Sequence, residues 1–165
     1  MLNADDFKKI VNCTPLIALD FILKNSKEEY FLGKRINSPA RGFYFVPGGR
    51  ILKSESLESA VQRLTQGELG IPLAPSTFKL KGIYEHLYED SFFGPQISTH
   101  YIVIALESIV VLDGVGLDVT QHSSVKKFTR NELMASDEVH PYTKNYFINH
   151  PSNALKLNEQ QERGR

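Results

Sequence analysis

A chain of 165 residues, 41% hydrophobic and 23% charged, is long enough for one buried core and is not the composition of a disordered or fibrous protein. Lysine plus arginine and aspartate plus glutamate number 19 each, so no global basic field gathers nucleic acid or anionic membrane, and any anion site must be local. The single cysteine, Cys13, excludes an internal disulfide and suits a reducing compartment. The N-terminal stretch lacks the basic-then-apolar pattern of a secretory leader, and apolar runs such as residues 101–106 are too short to span a bilayer. The expectation is one cytoplasmic domain over residues 1–151 and a polar, frayed tail over 152–165.

Residues 15–24 (PLIALDFILK) read as an apolar strand interrupted by one charge, Asp20. Residues 25–29 form a polar turn and 30–34 the returning strand of a hairpin. Residues 37–42 (NSPARG) are loop and 43–46 a brief strand. Pro47-Gly48-Gly49 is expected to turn sharply, because paired glycines accept backbone angles closed to other residues. Residues 56–69 carry the clearest helix. Ser54 or Ser56 caps its start, Glu55 and Glu58 suit its positive end, and Gly70 and Pro72 stop it. Two strands follow, 78–88 and 99–107, joined through Gly94-Pro95. Residues 113–124 read as a polar loop and 125–128 as a last short strand. Thr129-Arg130-Asn131-Glu132 has the capping-box pattern that opens a short helix, and Pro141 suits the first turn of another. The pattern is α+β, with a helix packed against a largely antiparallel or mixed sheet.

The helix over 56–69 poses the first chemical question. At about 100° per residue, Leu57, Ala60, Val61 and Leu64 fall on one stripe, and Glu68 lands inside it. A carboxylate facing inward near the negative end of a helix needs a partner, because burying it unpaired costs several kcal/mol. A salt bridge to Arg63, escape to solvent at the helix end, and ligation of a hard cation such as Mg²⁺ all satisfy that need.

Residues 49–71, G-RILKS-E-SLESAVQ-R-LTQG-E-L-G-I, resemble the Nudix box. Gly49, Glu55, Arg63, Glu68, Gly70 and Ile71 match it at the right spacings. Two glutamates of the box are missing, with Leu64 and Gly67 in their places. The same gaps mark the GDP-mannose mannosyl hydrolase subfamily, and the resemblance to it covers roughly residues 4–148. It takes in Thr14-Pro15-Leu16, Asp20-Phe21, Leu32-Gly33-Lys34-Arg35, Phe45 through Arg50, Thr99-His100-Tyr101, Gln121-His122 and Val139-His140.

The resemblance implies the Nudix fold, a mixed β-sheet sandwiched between α-helices. It implies hydrolysis of GDP-mannose, or GDP-glucose, to GDP and free sugar by inverting substitution at the anomeric carbon. One Mg²⁺ per subunit, with Mn²⁺ also suited, is implied at the Gly49 carbonyl, the Glu68 carboxylate and the Gln121 side-chain amide. His122 matches the general base, Asp20 a residue that hydrogen-bonds the sugar, and Arg35 and Arg50 the candidates that spread charge off the leaving diphosphate. Arg63 either joins them or orients Glu68 or Glu55. Tyr101 matches a phosphate contact and His86 could line the sugar pocket. Leu2 and Phe7 are implied as substrate contacts, Phe7 by stacking on guanine. Family members are homodimers whose N-terminal segment approaches the neighbouring site. A conventional pyrophosphohydrolase giving GMP and sugar phosphate, and a non-catalytic nucleotide-sugar sensor, are the alternatives. The missing glutamates count against the first, and retention of Glu68 with His122 against the second.

Overall fold

In the computed structural model, residues 3–110, 122–149 and 151–155 are described. Strand β1 (Leu16–Lys24) is the spine of a seven-stranded sheet. It runs parallel to β6 (Thr99–Ile109) along its whole length and antiparallel to β2 (Glu29–Arg35) and β4 (Gly48–Arg50). β2 continues the sheet to β3 (Tyr44–Phe45) and β7 (His122–Thr129), while β6 pairs with β5 (Lys79–Tyr88).

Successive residues of a strand face opposite sides, so β1 serves two cores. Leu19, Phe21 and Leu23 pack against Ala60, Val61 and Leu64 of α2 (Leu57–Leu69). Ala18 and Ile22 pack on the other face with Leu133 of α3 (Arg130–Ala135) and with Tyr146 and Phe147, just beyond α4 (Pro141–Asn145). The mixed sheet therefore lies between helices, the α+β arrangement expected.

α2 forms as its sequence dictates. The Ser56 hydroxyl accepts the Ser59 N–H at 3.1 Å, and Gly70 ends the helix in the left-handed region with φ 74°. Ala60, Val61, Leu64 and Glu68 are buried, but Leu57 is 59% exposed, so the inward stripe starts one turn later than the wheel implies. α3 opens on the expected capping box, in which Thr129 and Glu132 satisfy each other's backbone N–H groups.

Three expectations change, and one helix was not anticipated. Pro47-Gly48-Gly49 does not turn: Gly48–Arg50 is a strand paired with Ala18, Leu19 and Asp20. Its glycines answer to space instead, since a Cβ on Gly48 would lie 2.4 Å from the Leu19 carbonyl oxygen and one on Gly49 would lie 2.6 Å from Leu64 Cδ2. A helix precedes β1, α1 (Ala4–Cys13), capped by Asn3, whose side chain accepts the Asp6 N–H, with Asp5 and Asp6 in its first turn. Strand β7 starts at His122, so 122–124 belong to the sheet rather than to a loop. Part of the tail is held in place, because the Asn153 carbonyl accepts the Glu85 N–H and the Leu155 N–H donates to Ile83 on the edge of β5. No helix among the described residues is long and apolar enough to cross a membrane.

Candidate active site

Where β1, β4 and the inner face of α2 meet, the protein holds a cavity of about 420 Å³. Phe7 from α1, Asp20 from β1, Arg35 from β2 and Gly49 and Arg50 from β4 line it. Arg63 and Glu68 from α2, His86 from β5 and Tyr101 from β6 complete the set of expected residues that the fold gathers there. Leu2 and Gln121 lie outside the described residues. His122 is close by but does not line the cavity.

Glu68 is 3% exposed, and its Oε2 lies 3.0 Å from His122 Nε2, itself on a residue 6% exposed. Of the answers left open for this carboxylate, the salt bridge to Arg63 is not formed, and the partner seen is long-range: His122 stands 54 residues further along the chain. Local register makes the pairing possible. Between Gly33 and Arg35 the β2–β7 ladder shifts from Gly33↔Val125 to Arg35↔His122, so β7 carries one extra residue there. Such a bulge re-aims the side chains beside it. The imidazole lies flat against Gly33, where a Cβ would stand 2.3 Å from Nδ1.

Arg63 braces the loop before α2. Its Nε and Nη2 donate to the two oxygens of Glu55 at 2.6 and 2.8 Å, and Nη2 also donates to the Arg50 carbonyl at 2.9 Å. The Arg63 guanidinium holds the Glu55 carboxyl below the usual carboxylate range. Of the two roles open to Arg63, the structure assigns it this bond to Glu55, while its position on the cavity wall remains.

The other two arginines also line the cavity. Arg50 stacks on Phe7, its Cζ 3.9 Å from the ring centroid, and burial lowers its pKa. Arg35 donates from Nε to the Pro39 carbonyl at 2.9 Å, and its charge is felt by Asp20, Tyr88 and Tyr101. α1 packs on β6, so Phe7 reaches the cavity of its own chain.

The opposite wall is built for hydroxyls. Asp20 is 7% exposed, and burial pushes its carboxyl up to about 6, against the Tyr146 hydrogen bond and the Arg35 charge. Burial pushes His86 down to about 3, so its ring is neutral at physiological pH. It stacks on Tyr142, centroids 4.3 Å apart and planes 1° from parallel. Burial raises the hydroxyl pKa of Tyr88 and Tyr101, which keeps both as neutral donors. Tyr142, Tyr146 and Gly33 were not singled out from the sequence. The four-residue spacing of the tyrosines behind Pro141, which puts both on one helix face, was the available signal.

The Arg35 and Arg50 guanidinium groups, the buried Glu68 carboxylate and the main chain of β4 suit a diphosphate with a hard cation. Among the described residues no cluster of three His, Cys, Asp or Glu side chains stands ready for a metal. An oxygen set of Glu68 and the Gly49 main chain, completed by phosphate and water, fits Mg²⁺-type ions rather than soft ones.

The NUDIX domain family profile matches residues 14–149. The chain belongs to the Nudix hydrolase family. The low-salt glycan biosynthesis protein Agl8 of Haloferax volcanii is 34% identical over 142 residues, 86% of each chain. The MutT protein of Methanosarcina mazei Go1 superposes with a TM-score of 0.67 at 21% identity, covering 82% of this chain and 92% of that one. The MutT Nudix hydrolase of Burkholderia pseudomallei superposes at 0.65 with 20% identity, covering 81% and 95%. Nudix hydrolases generally use divalent cations such as Mg²⁺, which agrees with the donor set. Within this Nudix hydrolase the box departs from its pattern at two positions, one facing the cavity and one facing solvent. Leu64 lies on the wall where a glutamate is usual, and a Cβ on Gly67 would meet nothing.

Proposed function

We propose that this Nudix hydrolase converts GDP-mannose, or a close relative such as GDP-glucose, to GDP and free sugar. Water attacks the anomeric carbon with inversion, the bond from that carbon to the β-phosphate oxygen breaks, and its electron pair leaves on GDP. The observation that carries this reading is the composition of the wall. Glu68 is the one α2 carboxylate on it, and Leu64 presents methyl groups where phosphorus chemistry wants a second. Departure of a diphosphate from carbon needs charge neutralisation more than it needs a metal-bound nucleophile. The name of the Haloferax relative speaks of glycan biosynthesis, which favours a sugar-bearing substrate over a bare nucleotide.

Arg35 and Arg50 grip the diphosphate and spread its charge as it leaves, with Tyr101 as a neutral donor beside them. Asp20 and His86 hold sugar hydroxyls, which fixes the anomeric carbon in line with the water. Phe7 stacks on the guanine. Mg²⁺, or Mn²⁺, would be held by Glu68 and the Gly49 carbonyl, with Gln121 as the third ligand the family resemblance implies, and would neutralise charge on the leaving group. A homodimer would bring a second N-terminal segment near the guanine pocket that Phe7 of the same chain already lines.

His122 accepts the proton of the attacking water. Its Nε2 is engaged by Glu68 at 3.0 Å, so the proton is taken either there once the pair parts or at Nδ1, which is buried against Gly33. A second reading, with Asp20 as the base, is favoured by one fact: Asp20 lines the cavity and His122 does not. His122→Gln is expected to lower kcat by about 10²–10⁴ with the fold intact. Near-wild-type turnover in that variant passes the role to Asp20. Hydrolysis in ¹⁸O-labelled water tests the reaction itself. Label in free sugar with unlabelled GDP supports attack on carbon, whereas GMP and sugar phosphate overturn it in favour of conventional pyrophosphohydrolase chemistry.

A further inference from the structure

Behind the sugar wall lies a buried hydrogen-bonded group that the reaction above leaves without a task. Tyr146, the residue that ends α4, is 0% exposed. Its hydroxyl donates to Asp20 Oδ2 at 2.5 Å and lies 3.3 Å from His86 Nε2. Asp20 and His86 line the cavity, and Tyr146 does not. One phenol therefore bridges two wall residues that come from different strands, 66 positions apart, without reaching the space itself.

The proton count fixes the arrangement. The phenol has a single proton, and a carboxylate accepts it better than a neutral imidazole does. His86 then carries its proton on Nε2 and donates to the Tyr146 oxygen, which leaves His86 Nδ1 as an acceptor. Asp20 Oδ1 is left beside Gly48, where the wall is bare main chain, since a Cβ on Gly48 would stand only 2.7 Å from that oxygen. The bridge is itself held rigidly. Tyr84 meets the Tyr146 ring edge-on at 4.7 Å, and Tyr142 stacks on the far face of His86. The Tyr142 hydroxyl is tied to the main chain of Leu87, donating to its carbonyl at 2.7 Å and accepting its N–H at 3.0 Å.

We infer that Tyr146 is a positioning residue for the reaction: its hydroxyl fixes the Asp20 carboxylate and the His86 ring in the orientation that meets the sugar. A strand carboxylate has several staggered side-chain positions of similar energy, and a fixed hydrogen bond from behind selects one. The inference rests on the proposed function for the identity of the substrate, but its geometry stands apart from it.

Tyr146→Phe keeps the ring and its packing and removes only the bridging oxygen. Two measurements follow. The first is the ¹³C resonance of the Asp20 carboxyl group in labelled protein, assigned through Asp20→Asn; it moves in Tyr146→Phe if the bridge exists. The second is a kinetic cycle on GDP-mannose with wild type, Tyr146→Phe, Asp20→Asn and the double variant, which also relieves any carboxylate left buried alone. Tyr146→Phe is expected to lower kcat about 10- to 100-fold with KM within about threefold, and the double variant to be no slower than Asp20→Asn. An unmoved Asp20 resonance, wild-type kcat in Tyr146→Phe, or losses that multiply in full in the double variant would each overturn the inference. Inactivity of the wild type on every GDP-sugar would sink the proposed substrate and overturn a role for Tyr146 in its turnover, while a moved resonance would leave the Tyr146–Asp20 bridge standing.

Discussion

A buried carboxylate must be answered by charge or by hydrogen bonds, and Glu68 is answered by His122. The orientation of that histidine depends on a hydrogen atom, since only glycine at position 33 leaves room for its ring. Gly33→Ala drives a methyl group to 2.3 Å from His122 Nδ1, so the ring must leave its place against Glu68 or the strand must move. A cost of about 1–3 kcal/mol in thermal unfolding is expected from overpacking of this kind, with a fall in kcat of at least about tenfold if His122 is the base. Unchanged melting and turnover would show that the ring is not held there. The inward direction of Glu68 was legible from the helix wheel alone. Its partner was not, because the contact crosses a ladder whose bulge is a matter of register, and Arg63, the cation within reach along the helix, is taken up by Glu55.

Among the elements, α2 and the strands before and after it could be read from apolar spacing and caps, and they position most of the wall. Two elements could not be read so. β4 looked like a turn because Pro47-Gly48-Gly49 is the composition of one; the glycines are instead demanded by close approach to β1 and to Leu64. α1 went unnoticed because its residues are largely polar, although Asn3 with Asp5 and Asp6 is a helix start in the ordinary sense. That helix lends the cavity wall two side chains, Phe7 and Val11. Phe7 covers the guanidinium of Arg50 and touches Phe93, ring centroids 5.4 Å apart. Phe7→Ala removes both a stacking surface and the cover on Arg50, interactions worth about 1–2 kcal/mol. KM for GDP-mannose is expected to rise about tenfold with kcat within about threefold, since the reacting carbon lies at the other end of the substrate. A fall in kcat with KM unchanged would instead tie α1 to the sugar end.

At the scale of the whole molecule, the buried wall makes stability depend on pH in a way that opposing groups decide. His86 and His140 are pushed by burial to about 3 and about 4, so in mildly acid solution the unfolded chain binds a proton at each that the folded chain refuses. Their contribution is present above the ordinary histidine range and is lost as pH falls. Asp20 acts in the opposite sense. Raised to about 6, it is protonated in the folded chain where the unfolded carboxyl is ionised, so its burial costs most at neutral pH and the cost disappears on acidification. Between about pH 4.5 and 6 the unfolded chain binds two extra protons and the folded chain one, leaving a net of one. Unfolding free energy should therefore fall by about 1.4 kcal/mol for each pH unit of acidification. Removing Asp20 removes the opposing proton, and Asp20→Asn should steepen the slope to about 2.7 kcal/mol per unit. His86→Gln leaves His140 against Asp20 and should flatten it to about zero. Glu55, Glu132 and Glu138, whose partners hold them below the usual carboxylate range, steepen the acid end alike in all three proteins. Comparison of urea denaturation across that window therefore isolates the wall. Parallel slopes in the wild type and His86→Gln would mean that His86 is not held neutral by burial. The proton inventory that fixes how His86 and Asp20 share Tyr146 would then have to be redrawn.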